Sequence, residues 1–290
     1  MRITEVLSTR QSFSFEIFPP RGELSVEEAS DIARALAHFE PDWVSVTFSA
    51  GGSGNSAGTI AVSRAVEQSC AAALAHFTCY GSSKADADAY VDELRAAGID
   101  NVMALRGDPV PGKGVIDFAY ARDLIAHIKE RTPEMCVGAA CYPEGHVECD
   151  DFELSMRHLH EKQEAGADFL VSQLFFDNEL FYRFREACVR HRVKIPVVAG
   201  IIPFTSTSQI QRMAFTCGAT IPARVIRRIA AAGDDPAAQI AAGVEYAVEQ
   251  VVDLAANGVD GIHIYTMNKP SVGRAMYDAL VSCGYLEGRC

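Results

Sequence analysis

Three times along the chain a helix-like run closes on a glycine and enters an apolar run through one small corner. These are Ala97-Gly98-Ile99-Asp100, Ala165-Gly166-Ala167-Asp168 and Asn257-Gly258-Val259-Asp260. Pro41-Asp42 makes the same passage without the glycine. Glycine takes the left-handed conformation that ends a helix, and the uneven spacing of the corners excludes a solenoid. Strands are expected from Ser12 to the Pro19-Pro20 stop, and at 43–48, 75–80, 101–107, 136–142, 169–176, 196–204 and 261–267. Helices are expected between them, at 59–72, 86–97, 118–130, 151–165, 180–192, 206–216, after Pro222, at 236–256 and at 271–283, with one more opening on Ser25 and carrying Glu28 in its first turn. Eight strands alternating with helices over 290 residues fit an α/β fold, a single (β/α)8 TIM barrel over 1–290. An open doubly wound sheet is the alternative, but no glycine-rich dinucleotide fingerprint follows the first strand.

The formal net charge of -12 argues against nucleic acid, which needs clustered Lys and Arg. It leaves room for an anionic small ligand held by a few local cations. No run has the length of a membrane span and no leader pattern stands at the start, so a cytoplasmic chain is expected. The nine cysteines form no CxxC pair and read as small buried residues in a reducing compartment. Gly107 to Gly114 nearly matches a phosphate-binding P-loop, but Gly114 replaces the Ser or Thr that would hold magnesium, and two prolines remove backbone donors. The His158 and His160 pair does not share a helix face, so no metal is expected.

In a barrel, side chains at the C-terminal strand ends converge on one mouth. Glu16, Thr47, Asp108, Tyr142, Gln173, Pro203 and Asn268 all fall at or just past such ends. Glu16 lies in S-F-S-F-E-I-F-P-P-R, flanked by hydrophobic residues. It reads either as a structural carboxylate, paired or solvated, or as a general acid that keeps its proton in apolar surroundings. Arg106-Gly107-Asp108 reads as a tight turn with an ion pair or, at a mouth, as a phosphate-holding cation beside an acceptor for a nitrogen heterocycle.

F-E-I-F-P-P-R, V-S-V-T-F, H-F-T-C, A-L-R-G-D, Y-P-E-G-H, E-A-G-A-D, S-Q-L-F-F-D, G-I-I-P and H-I-Y-T-M-N occur in this order. The set resembles the catalytic barrel of the methylenetetrahydrofolate reductases, from about Phe13 to Leu280. The compact bacterial form, without a regulatory domain, is the nearer likeness. The resemblance implies bound FAD and reduction of 5,10-methylenetetrahydrofolate to 5-methyltetrahydrofolate by a ping-pong hydride transfer from NADH. The alternatives are a partner subunit or another donor as the electron source, and, from a different class, a folate- or methyl-group-binding subunit with no redox activity of its own. Association as a homo-oligomer is also expected.

By the resemblance, Glu16 is the general acid that helps open the methylene bridge, and Asp108 lies near the flavin ring and the pterin. The FAD positions correspond to Thr47, Phe48, Ala50, His76, Arg106, Gly107, Asp108, Tyr120, Ala121, Tyr142, His146, His158 and Lys162. The substrate positions correspond to Gln173, Gln209 and Lys269. Lys269 stands where Arg is usual, a point charge in place of a bidentate fork. Met213 stands where some bacterial members carry Phe, and the loop from Gly51 to Gly58 departs from the usual one.

Overall fold

The computed structural model describes residues 1–20, 24–48, 56–69, 71–109, 112 and 114–286. Eight parallel strands close into one barrel in sequence order, β8 pairing back onto β1. The strands are β1 (Ser12–Ile17), β2 (Trp43–Val46), β3 (Ala72–Thr78), β4 (Asn101–Leu105), β5 (Cys136–Cys141), β6 (Phe169–Ser172), β7 (Val197–Ile201) and β8 (Gly261–Tyr265). The chain opens on a short helix α1 (Ile3–Leu7), then alternates α2 (Val26–Ala37), α3 (Ser56–Gln68), α4 (Lys84–Ala96), α5 (Ala121–Arg131), α6 (Phe152–Glu164) and α7 (Asn178–Arg190) with the strands. Between β7 and β8 come α8 (Thr207–Cys217), α9 (Ala223–Ala232) and α10 (Pro236–Ala256), and α11 (Pro270–Ser282) closes the order. No described helix is long and apolar enough to cross a membrane.

The recurring corner has a physical reason. Asp42, Asp168 and Asp260 each stand just before a strand and accept from the first amides of the preceding one: Phe13 N at 2.8 Å, Val137 N at 2.7 Å and Val197 N at 2.8 Å. Those amides lie at the end of the barrel where no ladder partner waits, and an unpaired buried N–H is costly. The corner therefore turns the chain and caps its neighbour together.

Strand alternation sorts the core into two layers. Phe13, Phe15 and Ile17 of β1 point outward and pack with Leu36, Phe39 and Met276 of the helical layer. Trp43, Leu74, Met103, Phe169 and Val198 point inward and fill the lower barrel. Phe169 occupies the space above Gly138, where a Cβ would lie 2.6 Å from the ring. Truncating such a buried ring costs about 3–5 kcal/mol. Ile3 of α1 joins this inner cluster, and its amide donates to Asn101 Oδ1 at 2.8 Å. The lower end is thereby stoppered.

Several sequence expectations need correction. The first helix was not expected. Its five residues are too few for a periodic signal, and it is held by Glu5, which caps Arg2, and by the tie to Asn101. The third strand starts at Ala72 rather than Ala75, and α3 spans 56–68 rather than 59–72. Alanine has little strand preference, but pairing of Ala72, Ala73 and Leu74 with Trp43, Val44 and Ser45 overrides it. Strands β6 and β7 stop at Ser172 and Ile201, earlier than expected, because their last residues leave the ladder to form the rim.

Candidate active site

Inward-facing residues change character toward the C-terminal end of the barrel. Above the apolar layer stand Ser14, Glu16, Ser45, His76, His263 and Tyr265. Glu16, Ser45, His76, His263 and Tyr265 line a mouth cavity of about 320 Å³, together with Thr47, Phe48, Arg106, Gly107, Asp108, Tyr142, His146 and Gln173. The expected apolar setting of Glu16 is corrected here. Its hydrophobic sequence neighbours Phe15 and Ile17 face the helical layer, because alternate residues of a strand point to opposite sides. Its actual neighbours are two imidazoles: His76 Nε2 lies 3.7 Å and His263 Nε2 3.8 Å from Glu16 Oε2.

The imidazoles are themselves fixed. His263 Nδ1 shares a hydrogen bond with Ser14 Oγ at 2.8 Å, and the His263 ring meets Tyr265 edge to face. Burial pushes the His76 imidazole down to about 4, against the opposing pull of Glu16. His76 is thus neutral at pH 7. The Tyr265 hydroxyl donates to Ser172 O at 2.6 Å across the position of Gly200, where a Cβ would lie 2.7 Å from the phenol. The β1 tip is tied to the end of β8 by Thr266 and Asn268, which bond the backbone of Glu16 and Phe18.

A second cleft of about 540 Å³ opens between α5, α6 and the loop after β5. Tyr120, Ala121, His158 and Lys162 line it, and Arg106, Tyr142 and His146 belong to both walls. Lys162 is half-buried; its Nζ donates to Ala140 O at 2.8 Å and sits 5.6 Å from the Tyr142 ring centre. Burial pushes its ammonium down to about 8. Arg106 donates to Glu148 Oε2 and holds that carboxyl below the usual range. Further out, Arg122 pairs with Glu161. Gly107 has φ 79°, and a Cβ there would lie 2.8 Å from Thr78 Cβ, so this turn requires glycine. The Oγ atoms of Ser45 and Thr47 are buried and have no hydrogen-bond partner among the described residues.

Most of the site residues expected from the sequence thus meet at one of the two cavities or at both. Ala50 lies outside the described residues, as do residues 51–55 of the Gly51–Gly58 loop. Gln209 and Lys269 line neither cavity. Gln209 is buried at the start of α8, where Oε1 accepts from Thr205 N and Thr205 Oγ1, and Lys269 is the exposed N-cap of α11. Sequence reasoning missed Ser14, His263, Tyr265 and Glu148. The alternation in Gly261-Ile262-His263-Ile264-Tyr265 carried the signal for two of them, since it puts His263 and Tyr265 on the inward face with Gly261.

A family model described as methylenetetrahydrofolate reductase matches residues 2–281. The chain belongs to this family. Among relatives of the methylenetetrahydrofolate reductase family, the Arabidopsis thaliana protein named methylenetetrahydrofolate reductase (NADH) 1 is 32% identical over 287 residues, covering 93% of this chain and 48% of its own length. The chain therefore spans about half the length of this plant relative. The Escherichia coli 5,10-methylenetetrahydrofolate reductase is 31% identical over 275 residues, covering 92% of this chain and 90% of its own. Among solved structures, a Clostridium thermocellum protein described as binding two copies of 5-methyl-5,6,7,8-tetrahydrofolic acid superposes with a TM-score of 0.67 at 13% identity, covering 98% of this chain and 99% of that one. At that identity it shares the barrel, and the reductase family assignment rests on the sequence matches.

Proposed function

We propose that this chain uses FAD to reduce 5,10-methylenetetrahydrofolate to 5-methyltetrahydrofolate, with NADH as the electron donor. The observation that carries the reading is a carboxyl, Glu16, on the wall of a mouth that shares Arg106 and Tyr142 with a cation-bearing cleft. The residues present fit FAD. Two adjoining cavities suit an extended ligand with a ring at one end, and each falls within the size range of small-molecule sites. Lys162 is a half-buried cation in the cleft that donates to Ala140 O, and Arg106 stands at the junction. The unsatisfied Thr47 and Ser45 hydroxyls lie in the mouth, where a polar ring edge would satisfy them.

Bound FAD supplies the two-electron carrier between the donor and the folate. The protein's part is to bind, orient and move one proton. Glu16 gives that proton to the bridge nitrogen of the folate as the methylene bridge opens, which leaves the iminium carbon ready for hydride. His76 and His263 flank the carboxyl at 3.7 and 3.8 Å, and Ser14 fixes the His263 ring. Gln173 turns its amide oxygen to Leu174 N at 2.9 Å, which leaves its amide nitrogen to donate to a ligand in the mouth. Asp108 is exposed at the rim and offers an acceptor to a pterin nitrogen.

The test is an anaerobic visible spectrum of the purified chain reconstituted with FAD, first with NADH and then with methylenetetrahydrofolate. Bleaching by NADH and recovery with folate support the full reading. Flavin bands that NADH leaves untouched, but another reductant bleaches and folate restores, reassign the donor. Failure to bind FAD overturns the reading.

A further inference from the structure

We propose that Asn268 is a positioning residue for the Glu16 carboxyl, acting through the backbone of Phe18; the proposal rests on the reading of Glu16 as proton donor. The β1 ladder runs out just where Glu16 must be held. Its last partner on β8 is Tyr265, opposite Glu16, and its last on β2 is Val46, opposite Ile17. Pro19 and Pro20 follow and bring no amide donors. Side chains from the β8 tip take over. Thr266 Oγ1 donates to Glu16 O at 2.7 Å. Asn268 Oδ1 accepts from Phe18 N at 2.7 Å, and Asn268 Nδ2 donates to Phe18 O at 3.3 Å.

The turn that delivers this clamp is strained. Met267 has φ 53° and Asn268 φ 57°. They are the only consecutive non-glycine residues with positive φ among the described residues; Glu40 and Arg192 occur singly, each just past a helix end. Such conformations persist where surrounding contacts over-determine them, and they gather at functional sites. Asparagine meets both demands of the position. It tolerates the left-handed region better than most residues, and its amide both accepts and donates. Lys269 N donates to Thr266 O at 3.0 Å and closes the turn. Two residues beyond Glu16 the chain is thus gripped on both sides of one residue.

The test uses the FAD-loaded chain with Asn268→Gly, which adopts φ 57° freely and removes only the clamp, and with Thr266→Val, which keeps the shape and removes the bond to Glu16 O. Stopped-flow absorbance separates flavin reduction by the donor from flavin reoxidation by folate. Hydrogen exchange at the Phe18 amide, followed in the FAD-free chain, reads the clamp itself. The expected result is faster exchange at Phe18 in Asn268→Gly. The folate step should slow by about 10- to 100-fold, with folate affinity and flavin reduction within about twofold of wild type. Both variants should add nothing further in a Glu16→Gln background, as expected of residues acting through one group. An unchanged folate step in Asn268→Gly, whatever Thr266→Val does, or an equal loss in both half-reactions, overturns the proposal. If Glu16→Gln alone leaves the folate step intact, the proton-donor reading fails instead, and the clamp loses the function assigned to it.

Discussion

Arg106 Nη1 donates to Glu148 Oε2 at 2.6 Å, where the mouth cavity meets the outer cleft. A carboxylate therefore holds a cation that the cofactor proposed above would use. On that proposal, binding has to displace Glu148 from Arg106 or share the guanidinium with it.

Glu148→Gln should therefore tighten FAD binding. The pair is partly exposed, and pairs of this kind contribute about 0–1 kcal/mol, so the gain should stay below about fivefold. Fluorescence quenching of titrated FAD at two salt concentrations would measure it. Weaker binding by the variant would mean that Glu148 orients Arg106 for the cofactor rather than competing with it.

Glu16→Gln should bind FAD and accept electrons from the donor, while the folate half-reaction falls by about 10²- to 10⁴-fold, the usual worth of a positioned acid. Single-turnover kinetics of each half-reaction decide this. A folate step near the wild-type rate would remove Glu16 from the proton-donor role.

FAD affinity should fall as pH rises above about 8. Burial holds the Lys162 ammonium down to about 8 in the free chain. An anion bound beside it favours the charged form and raises that value, so binding takes up a proton once pH exceeds the free value. Below about 8 the lysine is already charged, and the affinity should be flat with respect to this group. Isothermal titration in buffers of different ionisation enthalpy would count the protons. Lys162→Met should abolish the alkaline fall; a fall that persists in the variant belongs to another group.

Gly107→Ala should destabilise the fold by about 2 kcal/mol, the cost of forcing a side chain into the left-handed region with a contact besides. The added methyl would meet Thr78, which lines the mouth, so cofactor binding should weaken as well. Urea unfolding with and without FAD measures both effects. A variant as stable as the wild type would show that this turn relaxes.

The barrel was legible because its signals are local. Corner aspartates, helix caps and alternating apolar residues each lie within a few positions, and the closed fold follows from repeating them. The Ala72 to Leu74 stretch was missed because its strand character comes from β2 across the sheet. The site was partly legible for a related reason: once the fold is a barrel, strand ends such as Thr47, Arg106, Tyr142 and Gln173 must converge. The group of Ser14, Glu16 and His263 was not legible as a group. It forms only when β8 closes onto β1, some 250 positions away in the chain. Gln209 was expected in contact with ligand; its Oε1 accepts from Thr205 at the start of α8, a local bond that the sequence pattern did not single out. The clamp on Phe18 from Asn268 likewise spans the closure.

Arg106, Tyr142 and His146 are walls of the mouth and of the outer cleft at once. An occupant that shifts any of them on one side reshapes the room left on the other. Thermodynamic reciprocity then makes the crosstalk equal in both directions. Whatever factor a ligand in the mouth imposes on affinity in the cleft, the cleft's occupant must return to the mouth unchanged.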